Sequence, residues 1–96
     1  MNRFYVYEHR RLDTGAVFYV GKGTGQRSRV TFNRNRHWRR VAERHGWSAH
    51  VVCRMDDEDL AFLAEVELID LHRRIGSPLT NVTDGGGGTV GYRWPA

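Results

Sequence analysis

The chain is poor in cysteine, lysine and proline: its 96 residues include one cysteine, one lysine and two prolines. A single cysteine excludes an internal disulfide bond. Because Cys53 follows Val51 and Val52, a buried thiol on a strand is a simpler interpretation than a reactive thiol. This cysteine usage fits a reducing, cytoplasmic setting.

Long apolar runs are also missing. No stretch of about 18 apolar residues occurs, so we expect no membrane span and no membrane partner. The first three residues lead directly into a strand pattern, without the features of a signal peptide. A chain of this length buries one modest core, which predicts a single domain over residues 1–96 with an irregular, glycine-rich tail at 85–96.

The basic residues are abundant and are almost all arginine. The formal net charge is +4, and Lys22 is the only lysine among 15 basic residues. Arginine is suited to bidentate phosphate contacts, so its density between positions 27 and 44 predicts a polyanionic partner, most simply nucleic acid. The alternative is a solvated helix face with no such partner. The candidate nucleic-acid-binding residues are Arg29, Arg34, Arg36, Arg39, Arg40 and Arg44.

Residues 5–22 have the pattern of a β-hairpin. Apolar and polar residues alternate with a period of two in both halves, and Asp13, Thr14 and Gly15 provide a turn between them. The apolar face is predicted to consist of Phe4, Val6, Phe18 and Val20. A register that pairs Tyr7 with Tyr19 places both phenols on the other face, within reach of each other.

The rest of the chain alternates helical and strand patterns. We expect a short helix over 26–33, a second helix over 36–45 and a third strand over 49–54. A long helix, capped by Asp56 or Asp57, is predicted to run to about position 75. The fold class is therefore α/β of the α+β type: a small three-stranded antiparallel sheet flanked by helices, in the order β-β-α-α-β-α.

Glu65 is unusual because its helical neighbours are apolar. Residues three and four positions away include Phe62 and Ile69, so the carboxylate belongs to the packing stripe, where an unpaired charge is costly. It needs a partner, either a structural arginine or a metal ion. The histidines His9, His45, His50 and His72 show no metal-ligand spacing and are interpreted as surface or boundary residues.

Taken together and in order, these motifs resemble the GIY-YIG nuclease family. Tyr5-Val6-Tyr7 stands for the first motif and Tyr19-Val20-Gly21 for the second, with eleven residues between them. The likeness extends to the glycine-rich loop at 21–27, to the segment at 65–69 and to the run at 79–86, and so covers nearly the whole chain. The sequence departs from the family in having Tyr5 in place of a glycine and Thr31 in place of a histidine.

The resemblance implies a fold and a set of site residues. By analogy, Glu65 binds one Mg²⁺ or Mn²⁺ ion per site, Tyr7 acts as the general base with help from the charge of Lys22, and Asn81 orients Glu65 or the metal-bound waters. By the same analogy, Arg27 stabilises the negative charge that develops on the phosphate oxygens, and Arg29 is the alternative arginine for this role. The implied catalytic set is Tyr7, Tyr19, Lys22, Arg27, Glu65 and Asn81.

The function implied by this resemblance is metal-dependent cleavage of DNA phosphodiester bonds. RNA is an open alternative substrate, and a nucleic-acid-binding module without turnover is an open alternative from a different class. With so little surface for reading bases, we expect weak sequence selectivity, a homodimer or a separate targeting partner. The geometric prediction is that Tyr7, Tyr19, Lys22, Arg27 and Glu65 converge on one concave, basic surface.

Overall fold

The computed structural model describes residues 2–82 of the chain. Two strands come first, β1 (Phe4–Arg11) and β2 (Val17–Gly23), followed by a short 3₁₀ turn (Arg27–Arg29). Helix α1 (Arg36–His45), strand β3 (Trp47–Met55) and helix α2 (Glu58–Arg74) complete the described fold. The predicted tail at 85–96 lies outside the described residues.

The three strands form one antiparallel sheet in the order β2-β1-β3, as the sequence predicted. The central strand is β1, and the outer edge of β2 is covered by residues that follow α2: the backbone N–H of Thr80 donates to the Phe18 carbonyl at 2.7 Å. Because edge strands present unpaired backbone groups, this segment closes part of that edge.

The predicted register of the hairpin is wrong. Tyr7 lies opposite Gly21, and Tyr19 lies opposite His9. The register shifts at a bulge between His9 and Arg10, which leaves Phe18 as the extra residue of β2. Such a bulge re-aims a side chain. Phe18 therefore contacts His9 and Trp38 at ring distances of 6.3 and 6.0 Å, rather than joining Val6 and Val20 on the opposite face.

The predicted helix over 26–33 is reduced to the 3₁₀ turn. Side chains bind the backbone carbonyls of this segment: Tyr5 donates to Gly25 at 2.8 Å, and Arg34 donates to Arg27 and Val30 at 3.0 and 2.9 Å. A carbonyl that accepts from a side chain is already satisfied outside a helical ladder. The segment is therefore an irregular loop fixed by Tyr5 on β1 and by Arg34, which directly follows the segment.

Both longer helices form where the sequence predicted them, with the expected end signals. Asn35 caps α1 by accepting from the backbone N–H of Trp38 at 2.8 Å, and Gly46 ends that helix with φ of 69°. Asp57 caps α2 by accepting from the backbone N–H of Asp59 at 2.7 Å. Neither helix within residues 2–82 is long and apolar enough to cross a membrane.

Helix α2 packs on one face of the sheet, which we call the helix face and which carries Val6, Glu8, Val20 and Lys22. Val6, Val20 and Ile69 form the centre of its apolar core. Side chains alternate along a strand, so Tyr5, Tyr7 and His9 point to the opposite face. That opposite face, formed by Tyr5, Tyr7, His9, Phe18 and Tyr19 and covered by the 3₁₀ turn and α1, is called the aromatic face.

Candidate functional site

The Tyr7 phenol crosses β2 above a residue that has no side chain. A Cβ atom at position 21 would lie 2.5 Å from the Tyr7 hydroxyl oxygen and 3.0 Å from the Tyr19 ring. Only glycine leaves that space for the phenol. The rings of Tyr7 and Tyr19 are 6.3 Å apart, so the structure brings the two motif tyrosines together on the aromatic face, although not as a directly opposed pair.

Arg34 reaches the same place from the loop before α1. Its Nη1 donates to the Tyr7 hydroxyl at 3.0 Å, and its guanidinium carbon lies 5.0 Å from the centre of the Tyr19 ring. The residue is only 6% exposed. The prediction that Arg34 belongs to an exposed phosphate-binding surface is therefore wrong, because its guanidinium group is committed to the interior of the aromatic face.

The protonation of Tyr7 follows from these surroundings. The residue is 1% exposed, and burial raises the pKa of its phenol above the ordinary value. The charges of Arg34 and Arg27 act in the opposite direction, without overcoming burial. Tyr7 is thus a neutral phenol near neutral pH in the free protein, and it needs a further positive group to act as a base.

Arg27 lies on the aromatic face, where its side chain covers a second glycine. A Cβ atom at Gly23 would be 2.5 Å from Cγ of Arg27. Arg27 is half-buried, whereas Arg29 is exposed. Of the two arginines that the sequence left open, Arg27 is therefore the one placed against β2, and its charge is felt at Tyr7.

His9 is fully buried beside the tyrosines and has a fixed tautomer. The indole N–H of Trp38 can only donate, so the Nδ1 of His9 accepts from it at 2.9 Å. Its Nε2 then carries the proton and donates to the Ser28 carbonyl at 2.6 Å. Burial lowers the pKa of His9 to about 4, so the imidazole is neutral at pH 7. The interpretation of His9 as a surface residue is wrong.

Tyr5, which stands where the nuclease family that the sequence resembles has a glycine, anchors the glycine-rich loop. Its hydroxyl donates to the Gly25 carbonyl at 2.8 Å and accepts from the backbone N–H of Ser28 at 2.9 Å. A glycine at this position makes neither bond. The departure from the motif thus gives this chain a side-chain clamp between β1 and the 3₁₀ turn.

The prediction that Tyr7, Tyr19, Lys22, Arg27 and Glu65 converge on one surface is wrong. Lys22 and Glu65 lie on the other side of the sheet from the tyrosines. The ammonium of Lys22 is 3.5 Å from the carboxylate of Glu58, at the start of α2. Glu65 is 6% exposed and lies one helical turn before Ile69, which packs on Val6 and Val20. The implied assistance of Tyr7 by Lys22 has no direct contact behind it, because the two side chains point to opposite faces.

Asn81 makes a paired contact with the outer edge of β2. Its amide oxygen accepts from the backbone N–H of Val20 at 3.0 Å, and its amide nitrogen donates to the Val20 carbonyl at 2.8 Å. Both ends of the side chain are therefore used by the strand between Tyr19 and Gly21. The residue shapes the edge directly below the phenols, which is a different contact from the implied one to Glu65.

The helix face contains a buried polar chain of its own. Glu8 accepts from His72 at 2.8 Å and from Arg10 at 2.9 Å, and the second ring nitrogen of His72 is 2.8 Å from the Ser77 hydroxyl. Burial acts to raise the pKa of Glu8, but the hydrogen bonds from His72 and Arg10 hold it below the ordinary value. The interpretation of His72 as a surface or boundary residue is wrong.

The Ser77–His72–Glu8 chain is a structural tie between α2 and β1. It has the order of a nucleophile, a base and a carboxylate, but the backbone N–H groups of Ser77 and Leu79 donate to carbonyls of the same turn. No local N–H of those two residues is left to stabilise an oxyanion, which acyl transfer requires. We therefore assign no chemistry to it.

The remaining arginines form the exposed side of α1. The candidate nucleic-acid-binding residues that are exposed are Arg29, Arg36, Arg39, Arg40 and Arg44. Among them, Arg36, Arg40 and Arg44 are spaced by four residues and so form one row along the helix. This row lies on the exposed side of α1, whose buried side presents Trp38 to His9 on the aromatic face.

The residues that sequence reasoning missed are those that fix the phenols. His9 shares the parity of Tyr5 and Tyr7 on β1, and this alone places it on their face. Arg34 lies one helical turn before Trp38, in the break marked by Asn33, whose φ is 61°. Position 34 lies between the two predicted helices, and no local pattern there predicts that the arginine folds inward.

Within residues 2–82, no group of three or more histidine, cysteine, aspartate or glutamate side chains is placed to hold a metal ion. A tetrahedral site made by protein ligands alone needs such a group. Magnesium differs, because it is often held by one or two carboxylates together with waters and substrate phosphates. Glu65 fits only this second kind of site.

Comparison of the chain with protein-family models, with curated proteins and with solved structures finds no match.

Proposed function

We propose that this chain is a metal-dependent endonuclease that hydrolyses DNA phosphodiester bonds, with Tyr7 as the general base. The observation that carries the proposal is the placement of the Tyr7 hydroxyl above Gly21, bonded to Arg34 at 3.0 Å and beside Tyr19. The ordered motifs that resemble the GIY-YIG family give this placement a chemical meaning, and the α+β architecture is compatible with it.

The proposal locates the scissile phosphate at the outer edge of β2, beside Gly21. Tyr7 and Glu65 belong to opposite faces of the sheet, so both reach one substrate only around an edge. Strand β2, over which the Tyr7 phenol lies, is an edge strand of the sheet, and Asn81 covers it at Val20, one residue before Gly21. In this arrangement, Asn81 sets the shape of the edge on which the phosphate lies.

Each residue has a stated role in the proposed reaction. After the Tyr7 phenol has lost its proton to solvent, its oxygen takes a proton from the attacking water. The water oxygen bonds to phosphorus, the bond from phosphorus to the 3′ oxygen breaks, and solvent protonates the released 3′ oxygen. Arg27 holds the charge that develops on the phosphate oxygens, and Tyr19 donates to the phosphate or positions Tyr7. The exposed arginine row on α1 binds the DNA backbone without reading its sequence.

Glu65 is the residue that would hold Mg²⁺ or Mn²⁺ in this scheme. A divalent ion bound there supplies Lewis-acid stabilisation of charge on the phosphate and on the leaving oxygen.

A nucleic-acid-binding module without turnover is the second candidate. It is favoured by a specific observation: Tyr7 is 1% exposed and its pKa is raised by burial, which suits a structural phenol better than a base. The basic row on α1 serves binding equally well in both schemes. Cleavage of RNA instead of DNA uses the same site residues, and the two schemes differ only in the nucleic acid that the arginines bind.

The test is the nicking of a supercoiled plasmid with Mg²⁺ or with EDTA. We expect cleavage with Mg²⁺ alone, and a loss of about 10²-fold or more in Tyr7→Phe and in Glu65→Gln. Glu67→Gln, an exposed carboxylate on the same helix, is the matched control and should cleave like the parent.

Two results would overturn the proposal. Equal cleavage by Tyr7→Phe and the parent would remove the assigned base. Salt-dependent binding without cleavage of duplex, branched or single-stranded DNA or of RNA would establish the binding module instead.

A further inference from the structure

We propose that Arg34 is the positioning residue of Tyr7: it fixes the direction of the hydroxyl and balances the negative charge that this oxygen carries once its proton has left. The inference deepens the proposed function and rests on it for the reaction, but the contact between the two side chains is tested separately. It assigns the supporting cation of the phenol to a residue that neither the motif pattern nor the arginine spacing indicates.

Three hydrogen bonds hold the guanidinium in one orientation. Nε donates to the Val30 carbonyl at 2.9 Å and Nη2 to the Arg27 carbonyl at 3.0 Å, so the group is fixed by the loop before it meets the phenol. The remaining bond, from Nη1 to the Tyr7 oxygen, then has a set direction. Because the Tyr7 oxygen accepts this bond, its own proton points away from Arg34.

Among residues 2–82, the charge of Arg34 has only neutral hydrogen-bond partners. Two are carbonyl oxygens and the third is a phenol, and the rings of Tyr7, Tyr19 and Trp38 surround the guanidinium at 5.0 to 5.7 Å. Burying a cation at 6% exposure is costly. A phenolate at Tyr7 turns the neutral contact into an ion pair, so Arg34 favours that state and opposes the effect of burial, which raises the pKa of Tyr7.

The other groups around Tyr7 do not replace Arg34. Arg27 acts on it through charge, and Tyr19, Tyr5 and His9 are neutral neighbours at ring distances of 5.1 to 6.3 Å. His9 is kept neutral by its bonds to Trp38 and Ser28. Lys22, the family-derived candidate, faces α2. Arg34 alone among these side chains donates a hydrogen bond to the Tyr7 oxygen.

The experiment is a ¹⁹F NMR titration of protein labelled with fluorotyrosine, whose lower intrinsic pKa brings the titration into a range where the chain stays folded. The Tyr7 signal is assigned by its loss in Tyr7→Phe. We expect Arg34→Gln to raise the midpoint of Tyr7 by about one unit or more, and Arg34→Lys to raise it by less. Arg36→Gln, an exposed arginine of α1, is the matched control and should leave it unchanged.

The parent provides a second measurement, which does not depend on whether Arg34→Gln folds. The guanidinium ¹⁵N signals of Arg34 should shift with the same midpoint as the Tyr7 ¹⁹F signal. The proposal would be overturned if the Tyr7 midpoint were the same in the parent and in folded Arg34→Gln. It would also be overturned if the guanidinium ¹⁵N signals of Arg34 did not shift during the Tyr7 titration.

Cleavage separates this inference from the proposed function. If the parent nicks DNA, Arg34→Gln should lower kcat by about tenfold or more near neutral pH, with KM within about threefold, because one pKa unit changes the ionised fraction tenfold. Arg34→Lys should recover part of that loss. If the parent cleaves nothing while the midpoints shift as expected, the proposed function fails and the pairing of Arg34 with Tyr7 stands.

Discussion

The two faces of the sheet treat buried charge in different ways. On the helix face, the buried carboxylate of Glu8 is compensated by Arg10 and His72, both within 2.9 Å. On the aromatic face, the buried guanidinium of Arg34 is bonded to two carbonyls and a phenol, which carry no charge. On the helix face, the charge of Glu8 is therefore balanced by its partners. The aromatic face keeps a positive group, Arg34, beside two phenols.

This difference separates stability from function. A buried charge that is paired mainly holds elements together, and here it joins α2 to β1. A buried cation with neutral partners is more costly, and such arrangements are typical of sites that receive an anion or generate one. The contrast predicts that mutations of Glu8 or His72 change stability first, whereas mutations of Tyr7 or Arg34 change chemistry first.

The largest expected effect on stability comes from breaking the compensated cluster. Glu8→Ala leaves His72 and Arg10 without their partner and should lower the free energy of unfolding by about 3 kcal/mol. Urea denaturation at pH 7 measures it. Asp70→Ala, which removes an exposed ion pair with Arg74, should cost no more than about 0.5 kcal/mol. Equal losses in both variants would abolish the contrast between the faces.

Acid should destabilise the aromatic face through His9. Its pKa is about 4 in the fold and 6.5 as the ordinary value, so the unfolded chain binds a proton that the folded chain excludes between these limits. Stability from this group is complete above pH 6.5 and falls as the pH decreases, by about 2 kcal/mol at pH 5.

Urea denaturation at pH 7 and pH 5 in the parent and in His9→Gln isolates this contribution. The variant should show a smaller decrease than the parent, because its amide does not titrate. Glu8 acts in the same direction but only at lower pH: its pKa is depressed, so its contribution is lost as the pH falls below its ordinary value of 4.5. An identical decrease in parent and variant would exclude His9 as the source.

Asn81 tests the edge where the two faces meet. Asn81→Ala removes both bonds to Val20 and should cost about 1 to 2 kcal/mol. Asn81→Asp should cost at least as much, since it places a second acceptor against the Val20 carbonyl. Thermal denaturation compares both with Val82→Ala, an exposed neighbour expected to be neutral. A neutral Asn81→Ala would remove its assigned role in shaping the edge.

The smallest effect on stability is expected at the exposed arginine row. Arg36→Gln, Arg40→Gln and Arg44→Gln should each change the free energy of unfolding by less than about 0.5 kcal/mol. Each should reduce the slope of log binding constant against log salt by about 1, if its side chain contacts a phosphate. Fluorescence anisotropy with a short duplex measures the slope, and Arg74→Gln, at the end of α2, is the control.

The sequence predicted the elements of this fold better than their mutual placement. Caps and glycines mark the ends of α1 and α2, because Asn35, Gly46 and Asp57 act within a few residues. The hairpin register could not be predicted from local signals. The bulge at Phe18 is stabilised by contacts with His9 and Trp38, which are distant in sequence. Local signals do not encode such contacts.

For the candidate site, too, the sequence predicted local features and not the contacts between distant residues. The placement of Tyr7 and Tyr19 on one face follows from strand alternation, and the structure has it. The inward turn of Arg34 depends on a hydrogen bond to Tyr7 and on two to a loop that the sequence predicted as a helix. The position of Glu65 on the opposite face depends on which side of the sheet α2 covers, and hydrophobic periodicity does not encode that choice.

The most direct test is plasmid nicking by two variants, one from each face, with the rates corrected for the folded fraction. The account predicts that the folded fraction of Tyr7→Phe loses about 10²-fold or more of the parent's Mg²⁺-dependent cleavage, whereas Glu8→Gln loses stability and keeps the cleavage rate of its folded fraction. Parental cleavage by Tyr7→Phe, or a loss of cleavage in folded Glu8→Gln as large as the loss expected for Tyr7→Phe, would contradict it.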